Sequence, residues 1–136
     1  MGLVGRIRWA YNNLPENLAK YGYLYDWKTA KNVCPTGWHL PNKEEFETLL
    51  QEFGGGGSNA YNSLIPGGKS QFSALLGGMK FYAGNFLQIE SLAYFWTSSS
   101  YSGTDGWDLY IFKGHTNAAM GHFNKDTGFS VRCLKD

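Results

Sequence analysis

The sequence predicts an α+β fold, with two short helices packed on small antiparallel sheets joined by long loops, and three observations carry that expectation. Glycine contributes 18 of the 136 residues and aromatics make up 17%; glycine weakens helices, whereas aromatics favour pleated sheet. Helical signals are confined to the first half, while short apolar-aromatic runs separated by Gly, Ser, Asn and Asp fill the second. The only two cysteines, Cys34 and Cys133, stand far apart in the chain. The length suits one ordinary domain, residues 1–136, with a core of its own.

Taken in order, Leu3–Trp9 alternates loosely and reads as a first strand. Tyr11–Lys20 holds Asn-Asn and Leu-Pro and reads as turn. Tyr21, Tyr23, Tyr25 and Trp27 alternate as in an extended segment. Asp26 then caps a short helix over Trp27–Val33, which Cys34-Pro35 ends because the residue before proline avoids helical geometry. The clearest helix follows. Asn42 is its N-cap, Glu45 completes a capping box, and Phe46, Leu49, Leu50 and Phe53 recur at helical spacing until Gly54–Gly57 breaks the pattern. Phe72–Leu76, Met79–Tyr82, Leu92–Ser98, Trp107–Phe112 and Phe129–Leu134 read as strands, and Ala83-Gly84-Asn85 as a hairpin turn.

Composition excludes several functions. The formal charge is +1 with no basic run, so the concentrated cationic face needed to neutralise phosphates is missing, and no nucleic-acid partner is expected. No run approaches the ~18 apolar residues of a membrane span. Met1–Arg8 is too short and interrupted for a signal peptide, which suggests either a trimmed secreted precursor or export on a phage particle. The two cysteines are compatible with free buried thiols in a reducing compartment or with a bridge in an oxidising one; a pair alone is too few for a metal.

Catalytic chemistry is not legible. No serine lies in a Gly-x-Ser-x-Gly elbow, and the glycine clusters lack the register of a phosphate loop. His39, between Trp38 and Leu40, reads as a packed, hydrogen-bonded histidine; an acid beside it or beside His122 in a deep pocket would revive an enzymatic reading. Asp105, Asp108 and Asp126 lack the dense oxygen ligands of a calcium loop. The expectation is a protein that is not an enzyme and needs no metal or other cofactor.

The residues 97–124 are more suggestive, being rich in Ser, Tyr, Asn and Trp, the composition of binding loops that combine rigid aromatic area with adaptable hydrogen bonds. Tyr101, Trp107, Tyr110 and His122 would supply contact area, and Asp108, Asn117 and Asn124 polar selectivity. A solvated β-hairpin with some aromatics turned inward is the plainer alternative.

Tyr21-Gly-Tyr-Leu-Tyr-Asp-Trp27, Val33-Cys-Pro-Thr-Gly-Trp-His-Leu-Pro41 and Gly128-Phe-Ser-Val-Arg-Cys-Leu-Lys-Asp136 occur in an order that resembles the Fibrobacter succinogenes major paralogous domain. Phe72-Ser-Ala-Leu-Leu-Gly-Gly78, Gly84-Asn-Phe86 and Phe95-Trp-Thr-Ser-Ser99 extend the likeness over nearly the whole chain from Tyr21. The resemblance implies a C-type-lectin-like fold with N- and C-terminal strands adjacent, a disulfide between Cys34 and Cys133, and an extracellular, cell-surface or phage-borne location. The Glu-Pro-Asn and Trp-Asn-Asp signatures of calcium-dependent sugar-binding lectins are absent, as is the catalytic cysteine pair of formylglycine-generating enzymes. The 97–124 segment also looks similar to the variable region of lectin-like proteins diversified by retroelements. The implied function is a ligand- or receptor-binding adhesion module whose partner is a protein or glycan on a cell surface; a structural or assembly domain without a soluble ligand is the alternative.

Overall fold

A computed structural model describes residues 7–136 and gives an α+β architecture. Strand β1 (Arg8–Trp9) pairs antiparallel with β2 (Leu24–Tyr25); the expected strand's residues 3–6 lie outside the described residues. Between them, where a turn was expected, a 3-10 turn over Tyr11–Asn13 leads into helix α1 (Pro15–Tyr21). Pro15 occupies the first helical positions, where its missing N–H costs nothing. The Leu-Pro pair is thus a helix start. Helix α2 (Trp27–Ala30) begins as expected at Asp26, whose side chain accepts the Thr29 N–H, though it ends sooner.

Strand β3 (Trp38–His39) precedes α3 (Lys43–Glu52), where both halves of the Asn42–Glu45 capping box form. The glycine run then turns the chain into α4 (Gly57–Leu64), which the sequence reading missed. Among the described residues there are therefore four α-helices rather than two. Gly-Ser-Asn is a poor helix start; α4 exists because Ala60, Tyr61 and Leu64 bury in the core. Phe72–Leu76 is not a strand. It runs irregularly, with Ser73 at positive φ, and delivers Ala74 and Phe72 to the same core.

Strands β4 (Met79–Lys80) and β5 (Phe86–Leu87) form the hairpin expected around Gly84. The principal sheet has the order β6 (Leu92–Ser100), β7 (Asp105–Phe112), β8 (Asn117–Asn124). Two cores sandwich it. Ala93, Phe95, Leu109, Ile111 and Ala118 pack against Phe46 and Leu50 of α3 and Ala60, Tyr61 and Leu64 of α4. On the opposite face Trp96 meets Trp27, Met79 and Phe129, with Tyr94 stacked on Phe129 at 4.5 Å. Both buried indoles are satisfied: Trp27 Nε1 donates to Thr97 O and Trp96 Nε1 to Tyr25 O, each at 2.8 Å.

The last segment is divided among several partners. Gly128 bridges to Lys80, Phe129 to Tyr25 and Ser130 to Phe95, and β9 (Leu134–Lys135) pairs with β3. Among the described residues β1 pairs with β2 and not with β9, and the C-terminal segment joins them earlier, through the Phe129–Tyr25 bridge and the close approach of Gly128 to the Trp9 ring. Cys34 and Cys133 form a disulfide with a Cα separation of 5.7 Å. Beside it, His39 Nδ1 contacts Asp136 Oδ1 at 2.7 Å and His39 Nε2 contacts Glu45 Oε2 at 3.0 Å, tying β9 to α3.

Candidate functional site

In a strand, successive side chains point to opposite faces, and residues directly opposite on an antiparallel partner share a face. The β7–β8 register sets Asp105 against Asn124, Trp107 against His122, Leu109 against Met120 and Ile111 against Ala118. This is the face that α3 and α4 cover at its Ile111 end. Gly106, Asp108, Tyr110 and Phe112, with Phe123, Gly121, Ala119 and Asn117 opposite them, lie on the other face. The seven expected contact residues therefore divide. Trp107, His122 and Asn124 share one side, with Tyr101 stacked on His122, while Asp108, Tyr110 and Asn117 lie on the other.

The first group is a preorganised aromatic cluster at the open end of the sheet. The rings of Tyr101 and His122 stack with centroids 3.6 Å apart and planes 4° apart. Trp107 meets both edge-on, at 5.1 Å from Tyr101 and 5.9 Å from His122. His122 Nδ1 pairs with Asp105 Oδ2 at 2.9 Å, which fixes the ring's orientation. From α3, Lys43 Nζ lies 4.7 Å above the Trp107 ring and is held by Glu47 Oε2 at 2.7 Å.

The backbone beneath is equally fixed. The β6 strand shifts register between Trp96 and Ser100, a bulge of the kind that re-aims side chains. There Ser98 N–H donates to Pro41 O, Lys43 N–H donates to Ser99 Oγ, and Thr97 Oγ1 donates to Trp107 O. In the β6–β7 loop, the Tyr101 and Ser102 N–H groups both donate to Asp105 O, and Lys125 Nζ donates to Ser100 Oγ and Ser102 O. Asn124 is spent within its own turn, its Oδ1 accepting the Asp126 N–H at 2.8 Å. The cluster remains accessible: Tyr101 is 49% exposed, and the His122 and Asp105 side chains 40% and 25%.

The second group is different. Asp108 is fully buried at 0% exposure, which rules it out as a surface contact. By register it sits between Trp96 of β6 and Gly121 of β8. Neither carboxylate oxygen has a hydrogen-bond partner among the described residues. Burial, and secondarily the charge of Asp105, pushes its pKa well above the ordinary carboxylate value. The fit is close at Gly121, where a Cβ would stand 3.3 Å from the Tyr110 ring and 3.4 Å from Asp108 Oδ1. Tyr110 faces Tyr94 at 6.0 Å, with its hydroxyl 3.5 Å from Asn117 Nδ2.

Both histidines named as conceivable acid–base partners do meet an aspartate, but at the surface rather than in a deep pocket. Sequence reasoning missed Asp105, Lys43 and Lys125. Asp105 was recoverable from its parity with Trp107; Lys43 and Lys125 carried no local signal, because β7's neighbours bring them in.

Comparison with curated proteins finds no match, and neither does comparison with solved structures. The family model described as the Fibrobacter succinogenes major domain does match, over residues 6–135, and so covers the disulfide, all four helices and the entire β6–β7–β8 sheet. The chain belongs to the Fibrobacter succinogenes major domain family.

Proposed function

We propose that this chain is a non-catalytic binding module of C-type-lectin-like architecture, which holds a protein or glycan ligand of a cell surface on the Tyr101–His122–Trp107 cluster. One observation carries this reading: the exposed Tyr101 and His122 rings and the half-buried Trp107 ring meet at the surface yet are locked by stacking, by the His122–Asp105 pair and by the hydrogen-bonded β6–β7 loop. Preorganised aromatic area of this kind is what recognition surfaces use, because little side-chain freedom is lost on binding. Ser102, Thr104, Asp105 and Lys43 form a polar rim around it. An extracellular or particle-borne location accords with the disulfide. If the segment is one that a retroelement diversifies, the variation belongs at exposed positions around Tyr101 and His122 and not at buried Thr97, Asp108, Leu109 or Ile111.

The test uses the fluorescently labelled, tetramerised domain on a panel of bacterial and animal cells, with protease- and glycosidase-treated cells alongside. Binding should fall at least about tenfold in Tyr101→Ala and Trp107→Ala variants that keep the wild-type circular dichroism. Loss after protease identifies a protein ligand, and loss after glycosidase a glycan. Undiminished staining by both folded variants would sink the proposal. The alternative of an assembly domain rests on exposed Tyr82 and Leu87 in the β4–β5 hairpin; a stable oligomer in light scattering, dissociated by Tyr82→Ser and Leu87→Ser, would favour it.

A further inference from the structure

A second site, apart from the aromatic cluster, lies between α3 and the C-terminal segment. We propose that this groove binds a small apolar molecule bearing a single carboxylate, which Arg132 recognises. The groove has a volume of about 340 Å³, within the range of small-molecule sites. Its walls are mostly apolar, formed by Pro41, Phe46, Leu49, Phe72 and Leu134. Arg132 lines the same space, its guanidinium 4.3 Å from the centre of the Phe72 ring.

The electrostatics give the groove its selectivity. Arg132 is partly buried, and burial lowers its pKa from the ordinary arginine value. Among the described residues its guanidinium takes part in no hydrogen bond or ion pair. A cation withdrawn from water without a partner is costly to hold, and the arrangement is incomplete as it stands. The Phe72 contact engages no N–H group in a hydrogen bond, so the guanidinium keeps the donors with which an arginine grips a carboxylate through two parallel hydrogen bonds.

Two carboxylates also line the groove, and they limit what enters. Glu45 is already engaged, accepting the Asn42 N–H at 2.8 Å and facing His39 Nε2 at 3.0 Å. Glu52 is exposed at the end of α3 and repels further negative charge. A monoanion with an apolar body satisfies both the walls and the arginine; a phosphate dianion does not. Cys133 also lines the groove, so the disulfide fixes one wall.

The experiment titrates sodium octanoate into the isotopically labelled full chain and follows backbone amides by two-dimensional NMR, with octanamide as the uncharged counterpart. Saturable shifts are expected along α3 and residues 131–134. Octanamide should bind at least about tenfold more weakly, as should octanoate to Arg132→Gln, with Arg132→Lys between them. The acid–amide comparison is made on the wild-type chain and holds even if the Arg132 variants do not fold. Equal affinity for acid and amide, no saturable shift in the groove, or tighter binding of octyl phosphate than of octanoate would each overturn the assignment. So would groove shifts that follow protein concentration alone, since a second copy of the chain would then be the occupant.

Discussion

Replacing Asp108 by asparagine should make the domain's stability less dependent on pH. The carboxyl group is fully buried against Trp96 and Gly121, with neither oxygen hydrogen-bonded among the described residues. Burial and the charge of Asp105 raise its folded-state pKa, whereas in the unfolded chain it titrates near ~3.9. Below that value both states are protonated and the group contributes no slope. Above it, the unfolded chain releases a proton that the folded protein keeps, so folding becomes less favourable as pH rises. The slope is about 1.4 kcal/mol per pH unit until the folded-state pKa is passed, where the loss levels off. Asparagine has nearly the same shape and no charge at any pH, so the variant lacks this slope. Urea melts of both proteins, read by tryptophan fluorescence between pH 3 and 8, provide the measurement. With a urea m-value of ~1–3 kcal/mol/M, the wild-type midpoint should fall by roughly 0.5–1.4 M per pH unit relative to the variant in that window. His39 and the other titrating groups are common to both proteins and cancel in the difference. Parallel midpoint curves across the whole range would refute the reasoning, because Asp108 would then ionise in the folded protein as easily as in the unfolded one.

Two other expectations follow from the C-terminal anchoring. Cys34 and Cys133 are separated by 99 residues, so replacing both by alanine should cost about 4–5 kcal/mol in the chain-entropy account; a loss below ~1 kcal/mol in urea melts would show that the unfolded chain is constrained without the bridge. Asp136 first, and Glu45 second, raise the pKa of His39 above the ordinary histidine value. The contribution of this contact is therefore fully present below pH ~6.5 and is lost as pH rises through the folded-state pKa. NMR titration of the His39 ring should show the raised value and its return toward normal in Asp136→Asn; an unchanged pKa in that variant would remove Asp136 as the cause.

What was legible in the sequence was local. The Asn42–Glu45 box, the Asp26 cap and the hairpin around Gly84 are each specified by residues within a few positions, and each formed. Helix α4 was not legible, because its start has low helical propensity and its stability comes from packing against β8 and α3. The strand expected over Phe72–Leu76 failed for the converse reason, since an apolar run says that a segment is buried and not in what conformation. For the candidate site, composition singled out a segment but could not divide its residues between the two faces of the sheet. Trp107 and Asp108 are adjacent in sequence and point in opposite directions, one to the surface cluster and the other to the core beside Trp96. Polarity suggested that Asp108 was a contact; strand parity excludes it once Trp107 is assigned outward.

The two faces of the sheet also differ in how much change they can accept. The side of Tyr94, Trp96 and Asp108 is closed by Phe129, and Gly106 is so tightly enclosed that a Cβ would stand 2.8 Å from the Trp27 ring and 3.1 Å from the Trp96 ring. The disulfide and the bridges from Gly128, Phe129 and Ser130 to three separate parts of the chain hold that layer in place. The Tyr101–His122–Trp107 side depends on the same strands for its backbone but closes no core with its rings. Side chains there can be exchanged at small cost in stability, in the range of ordinary surface substitutions, while the layer beneath keeps the backbone fixed. A scaffold divided in this way can change its surface without changing its fold, which is the property the proposed recognition role requires.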